Sequence, residues 1–172
     1  IKVLGDRGFQ VPEDYVETIS PMGAENAAVY TIERFGLYKE RPEDLVREWF
    51  DMAKKEYKDK VQCKPYAKTF IKKMKEQGKK LSIATSSDKE LFIPTIEREG
   101  IIDSFDELIT VNQVPRGKNH PEIYIEAAKR MEIEKNSCVL FEDIITAIES
   151  AKRGGFRVVA VEDEKTLIIK RA

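Results

Sequence analysis

The sequence predicts an α/β fold: a parallel sheet covered by helices on both faces, with a separate all-helical segment ahead of it. Three observations predict it. Beyond Val61, short runs that read as strands alternate with amphipathic helical stretches, the pattern of βαβ units rather than of hairpins. Before Val61, every apolar spacing follows the helical period. The 172 residues, 41% hydrophobic and 35% charged, suffice for one core with a small appendage.

The helical segment opens with a short amphipathic stretch over 13–19, after Pro12. A second helix spans 24–35, with Ala28, Ile32 and Phe35 on its apolar face and Gly36 as its stop. Pro42 opens a third at its first helical position, where Glu43 and Asp44 favour the positive end of the helix dipole. That helix runs through Leu45, Trp49 and Met52 toward Tyr57, and the charged stretch 54–60 is its solvated face.

After Val61 a helix over 65–77 turns Phe70, Ile71 and Met74 inward and ends at Gly78. A strand over 80–85, a helix over 88–99 stopping at Gly100, and a strand over 107–110 follow. Past a polar loop through Gly117 come a helix over 121–131, a strand over 138–141, a helix over 144–153 and a strand over 157–161. Parallel sheets of this kind bind ligands outside the carboxyl ends of their strands, so the chemistry belongs where each strand stops.

Composition excludes several classes. Thirty basic residues against thirty-one acidic give a net charge of −1, so no global field recruits nucleic acid or an anionic membrane. No apolar run is long enough to span a bilayer, and no signal-peptide pattern opens the chain. Cys63 and Cys138 stand far apart without a partner motif, which reads as two reduced, buried thiols in a cytoplasmic protein.

The first strand ends in Thr85-Ser86-Ser87. Hydroxyls followed by helix-start N–H groups can cradle a phosphate oxygen, or they can simply cap the helix. The loop after the second strand carries Arg116-Gly117-Lys118-Asn119-His120-Pro121. Lys118 is placed there to neutralise a phosphate and an attacking carboxylate, against the alternative of a solvated lysine. His120, the one histidine, reads as an exposed helix-start residue. The third strand ends in Glu142-Asp143. Capping needs only one acid, whereas two adjacent carboxylates call for a cation, and Mg²⁺ prefers such oxygen ligands.

Hydroxyl, then lysine, then acid pair, each at a strand's carboxyl end, is the arrangement that resembles the haloacid dehalogenase superfamily, over essentially the whole chain. Lys80-Leu-Ser-Ile-Ala-Thr85-Ser86-Ser87 resembles its second motif and Gly117-Lys118-Asn119-His120-Pro121-Glu122-Ile123-Tyr124 its third. Phe141-Glu142-Asp143 and the stretch through Gly154-Gly155 are similar to the fourth. The helical segment is similar to the small cap of the phosphoglucomutase-like branch.

The resemblance implies a three-layer Rossmann-like core over 62–172, a helical cap over 1–61, and a Mg²⁺-dependent phosphatase of a small phosphorylated metabolite acting through an aspartyl-phosphate. Thr85, Ser86 and Lys118 would bind the phosphate, with Thr85 and Lys118 catalytic. Glu142 and Asp143 would hold the metal. The partner would be the metabolite alone, with no nucleic acid or membrane, and the protein a monomer or weak dimer. Met22-Gly23 falls where related enzymes place a specificity loop, or is a plain helix-start turn.

The pattern also departs from the family. The nucleophilic D-x-D-G-T segment of the first strand does not occur in the 172 residues. Ile144 replaces the usual serine, Ala147 the usual glycine, and Asn119 a proline. The expectations are that Ile1-Lys2 is a remnant of the first core strand, with residues missing between Lys2 and Val3, and that a similar break lies near 163–165. A mutase, a metal-free dehalogenase and a non-catalytic phosphate binder are the competing readings.

Overall fold

The computed structural model describes residues 1–19 and 22–162; the break expected near 163–165 lies outside the described residues. The chain forms two compact units, Ile1–Lys60 and Val61–Ala172.

In the first unit α1 (Lys2–Asp6), α2 (Asp14–Ile19), α3 (Ala24–Phe35) and α4 (Pro42–Asp59) follow one another. Gly36 ends α3 at φ 67°, a left-handed conformation that glycine adopts without a Cβ clash. Val3, Ala28, Ile32 and Leu45 form the core, flanked by Trp49 and Met52. Arg7 ties the helices together, donating to both oxygens of Glu40 (2.9 and 3.0 Å) and of Glu48 (3.0 and 2.6 Å). Among the described residues Ile1-Lys2 forms no strand. Lys2 begins a helix whose first turn closes when Leu4 and Gly5 N–H donate to the Ile1 carbonyl, and the backbone passes helically through Lys2–Val3. The helix buries Val3 and Leu4.

The second unit holds α5 (Ala67–Glu76), β1 (Ser82–Thr85), α6 (Lys89–Arg98), β2 (Glu107–Thr110), α7 (Glu122–Arg130), β3 (Val139–Glu142), α8 (Ile145–Arg153) and β4 (Arg157–Ala160). All pairing is parallel, as expected, but the sheet is in two halves. β1 pairs with β2 from Ser82↔Glu107 to Thr85↔Thr110, and β3 pairs with β4 from Val139↔Arg157 to Glu142↔Ala160. One core cluster serves both halves: Ile109 of β2, Ile123, Tyr124, Ala127 and Ala128 of α7, Ala151 and Phe156, with Ala84 of β1 and Leu140 of β3 against it.

Among the described residues, β1 and β3 each keep one edge without a ladder. That division explains a second departure from expectation. Helix α5 is amphipathic yet buries no residue. Phe70 is 42% exposed, meeting Phe141, itself 52% exposed, edge-on at 5.2 Å between ring centroids. The apolar face of α5 and the unpaired edge of β3 thus lack a common covering element. The two cysteines are free and half-buried rather than buried, and burial pushes both thiols above their ordinary value.

The start of α7 is set by a close approach. A Cβ added at Gly154 would stand 2.7 Å from the Pro121 Cβ and 3.2 Å from the Ala151 carbonyl oxygen. Gly154→Ala is therefore expected to cost about 1–3 kcal/mol, as overpacking does. A lowered midpoint in urea unfolding checks this, and an unchanged one would mean that Pro121 yields freely.

Candidate active site

The loops beyond β1, β2 and β3 are tied together by side chains. The Asn112 amide, after β2, donates to the Asp88 carboxylate, after β1, at 2.8 Å. Lys118, also after β2, donates to Glu142 at the end of β3 at 2.5 Å. The carboxyl ends of three strands therefore meet, as a ligand site on a parallel sheet requires.

Thr85 ends β1 with its hydroxyl accepting from the Ser87 N–H at 3.0 Å. Neither Ser86 nor Ser87 caps the following helix; Asp88 holds the N-cap position in extended backbone. The Thr85 oxygen is thus used as an acceptor, which leaves its proton to donate to a ligand. Ser86 beside it is exposed. The end of β2 is closed differently: Thr110 and Gln113 exchange side-chain and backbone hydrogen bonds in a capping box, which uses the buried hydroxyl. His120 is half-buried rather than exposed.

Lys118 and the acid pair are the structural centre. Glu142 is buried at 6% exposure. Its Oε2 accepts from Lys118 Nζ at 2.5 Å and from the Tyr124 hydroxyl at 3.1 Å. Its Oε1 accepts the N–H groups of Asp143 at 3.2 Å and Ile144 at 3.3 Å. Burial alone would raise the Glu142 carboxyl. The hydrogen bond and charge of Lys118, with the Ile144 N–H and the Tyr124 hydroxyl, outweigh burial and hold the group below the usual carboxylate range. The folded chain therefore binds this proton less readily than the unfolded one. The stability Glu142 supplies is complete above the ordinary carboxylate value and is lost as pH falls through the lowered one.

Asp143 behaves differently from its neighbour. Its side chain is about one-third exposed and faces the Lys64 ammonium at 3.7 Å, and it does not cap α8, whose N-cap residue is Ile144. The cation that two adjacent carboxylates call for is thus supplied, in part, by two lysines. Glu142, expected as a metal ligand, has both oxygens committed to Lys118, Tyr124 and backbone. Among the described residues no group of three or more His, Cys, Asp or Glu side chains could hold a metal ion. Mg²⁺ is commonly held by one or two carboxylates together with water and substrate phosphate, so a lone accessible Asp143 suits it better than Glu142 does.

Two residues escaped the sequence reading. Lys64 precedes Pro65 in a stretch without a periodic signal. Tyr124 closes the stretch that resembles the third motif, with no role assigned to it. Its signal was the hydroxyl on an otherwise apolar face, since a buried phenol usually finds a partner. Met22-Gly23 acts as a helix start: Gly23 is the N-cap of α3 in extended backbone.

Residues 8–161 match the family described as Haloacid dehalogenase-like hydrolase. The candidate phosphatase YhcW of Bacillus subtilis (strain 168) is 31% identical over 104 residues, 60% of this chain and 47% of that protein. The phosphorylated carbohydrates phosphatase of Thermotoga maritima is 25% identical over 135 residues, 76% of this chain and 62% of that protein. The chain thus spans about half the length of the curated relatives it matches. Among solved structures, a candidate β-phosphoglucomutase from Thermotoga maritima superposes with a TM-score of 0.80 at 23% identity, covering 99% of this chain and 81% of that one. That likeness establishes an α/β fold of the same kind. Among the described residues no helix is long and apolar enough to cross a membrane.

Proposed function

The chain belongs to the haloacid dehalogenase-like hydrolase family, and from that premise we propose that it works as a Mg²⁺-dependent phosphatase of a small phosphorylated metabolite. The observation that carries the proposal is the Lys118–Glu142 contact of 2.5 Å, made between residues 24 apart. It fixes an ammonium, 17% exposed, at the carboxyl ends of parallel strands.

Each residue then has a role. Lys118 makes one hydrogen bond among the described residues, so two of its three N–H groups are available to phosphate oxygens. It would neutralise the charge that builds up as phosphorus is attacked. Thr85 would donate its hydroxyl proton, and Ser86 its backbone N–H, to non-bridging oxygens. Asp143 would hold Mg²⁺, with Glu142 supporting through Lys118 rather than by direct ligation. The ion, when bound, would screen the repulsion between an anionic nucleophile and the phosphate.

The nucleophile would be an aspartate outside these 172 residues, carried on one more parallel strand between β1 and β3 and forming an aspartyl-phosphate that water then hydrolyses. The unladdered edges of β1 and β3, the core cluster they share, and the exposed Phe141 and Val139 support this reading. The two phosphatase relatives support a phosphomonoester substrate.

The test is release of inorganic phosphate by the full-length protein from p-nitrophenyl phosphate and a panel of sugar phosphates. Release should stop with EDTA and return with added Mg²⁺. Isomerisation of a sugar phosphate without net release would make the protein a mutase, and activity indifferent to EDTA would remove the metal.

A further inference from the structure

We propose that Tyr124 is a positioning residue, whose hydroxyl and ring together fix where the Lys118 ammonium stands. The consequence for catalysis rests on the phosphatase reading; the positioning itself does not.

One side chain touches both members of the ion pair. The Tyr124 hydroxyl donates to Glu142 Oε2 at 3.1 Å, the same oxygen that Lys118 approaches at 2.5 Å. The Lys118 Nζ also lies 5.9 Å from the centroid of the Tyr124 ring, within reach of a cation–π attraction. The ring is a rigid support. It is 4% exposed, meets Phe156 edge-on at 6.2 Å between centroids, and belongs to the core cluster with Ile109, Ile123 and Ala151.

Lysine by itself is a poor instrument for precise placement, because its charge rides on a flexible four-carbon stem. Here the carboxylate that directs it is pinned on both oxygens. Asp143 and Ile144 N–H groups hold Oε1, and the phenol holds Oε2. Burial, then the charge of Glu142 and the bond to it, push the phenol above its ordinary value, so it stays a donor throughout. Remove the hydroxyl, and Oε2 has only the lysine. The carboxylate is then pinned on Oε1 alone and can rotate, and the ammonium it directs loses its fixed place before an incoming phosphate.

Tyr124→Phe in the full-length protein tests this, since it keeps the ring and the packing. The kcat should fall about tenfold, the lower end of what outer hydrogen-bond partners contribute, while KM holds within about twofold. Combined with Lys118→Ala, Tyr124→Phe should produce no further fall, because it acts through that lysine. Independent of activity, the ¹⁵N resonance of the Lys118 ammonium should be sharp in the wild type and broadened by water exchange in Tyr124→Phe. An equally sharp resonance in the variant would overturn the proposal. So would kcat losses that simply multiply in the double variant. Should the wild type release no phosphate from any substrate, the phosphatase reading falls, and the ammonium resonance still decides the role of Tyr124.

Discussion

Asp143→Asn is expected to abolish Mg²⁺-dependent phosphate release in the full-length protein while leaving it folded. The amide has the size of the carboxylate but lacks its charge, and a hard divalent ion that keeps most of its water depends on one or two anionic ligands. Both Glu142 oxygens are committed to Lys118, Tyr124 and backbone, and among the described residues no group of three or more His, Cys, Asp or Glu side chains could hold the ion instead. Little stability should be lost. The Lys64 contact is 3.7 Å long, with the Lys64 side chain 51% exposed, a class of ion pair that contributes about 0–1 kcal/mol. Phosphate release and the thermal midpoint, measured on the same sample, check both halves. Wild-type turnover in the variant would take the metal away from Asp143.

Lys118→Ala should have two effects of different origin. Loss of the ammonium removes electrostatic stabilisation of the transition state, typically about 10²–10³-fold in kcat. It also strands a carboxylate that is 6% exposed, and breaking a buried pair from one side costs about 3–5 kcal/mol. A single variant confounds the two. Lys118→Ala combined with Glu142→Gln separates them, because the neutral amide needs no counter-charge. The double variant should recover most of the stability and none of the turnover. It should also lose the acid-sensitive part of the stability curve, which depends on Glu142 releasing its proton more readily in the fold. Recovery of turnover would make Lys118 a structural counter-ion only.

Much of the fold could be read from local chemistry. The stop of α3 at Gly36 needs a left-handed residue, the start of α4 needs only Pro42, and β2 covers the very residues its branched run suggested. These signals are carried by the segment itself. What escaped depends on partners distant in sequence. The apolar face of α5 reads as core, but whether Phe70 is covered depends on which strands reach it. Ile1-Lys2 reads as a strand only if a sheet stands beside it. For the acid pair, sequence shows charge but not direction; in the fold, Glu142 turns to Lys118 and Asp143 to Lys64. The role of Tyr124 was hidden for the same reason: the third-motif stretch includes the residue, and only its neighbours reveal the use of its hydroxyl.

A crystal structure of the full-length protein with Mg²⁺ and tungstate, a tetrahedral stand-in for phosphate, bears most directly on the convergence of these groups. The expected result is an anion hydrogen-bonded to Lys118 and Thr85, a metal ion on Asp143, and an additional parallel strand laddered between β1 and β3. A direct β1–β3 ladder with the anion bound elsewhere would contradict it.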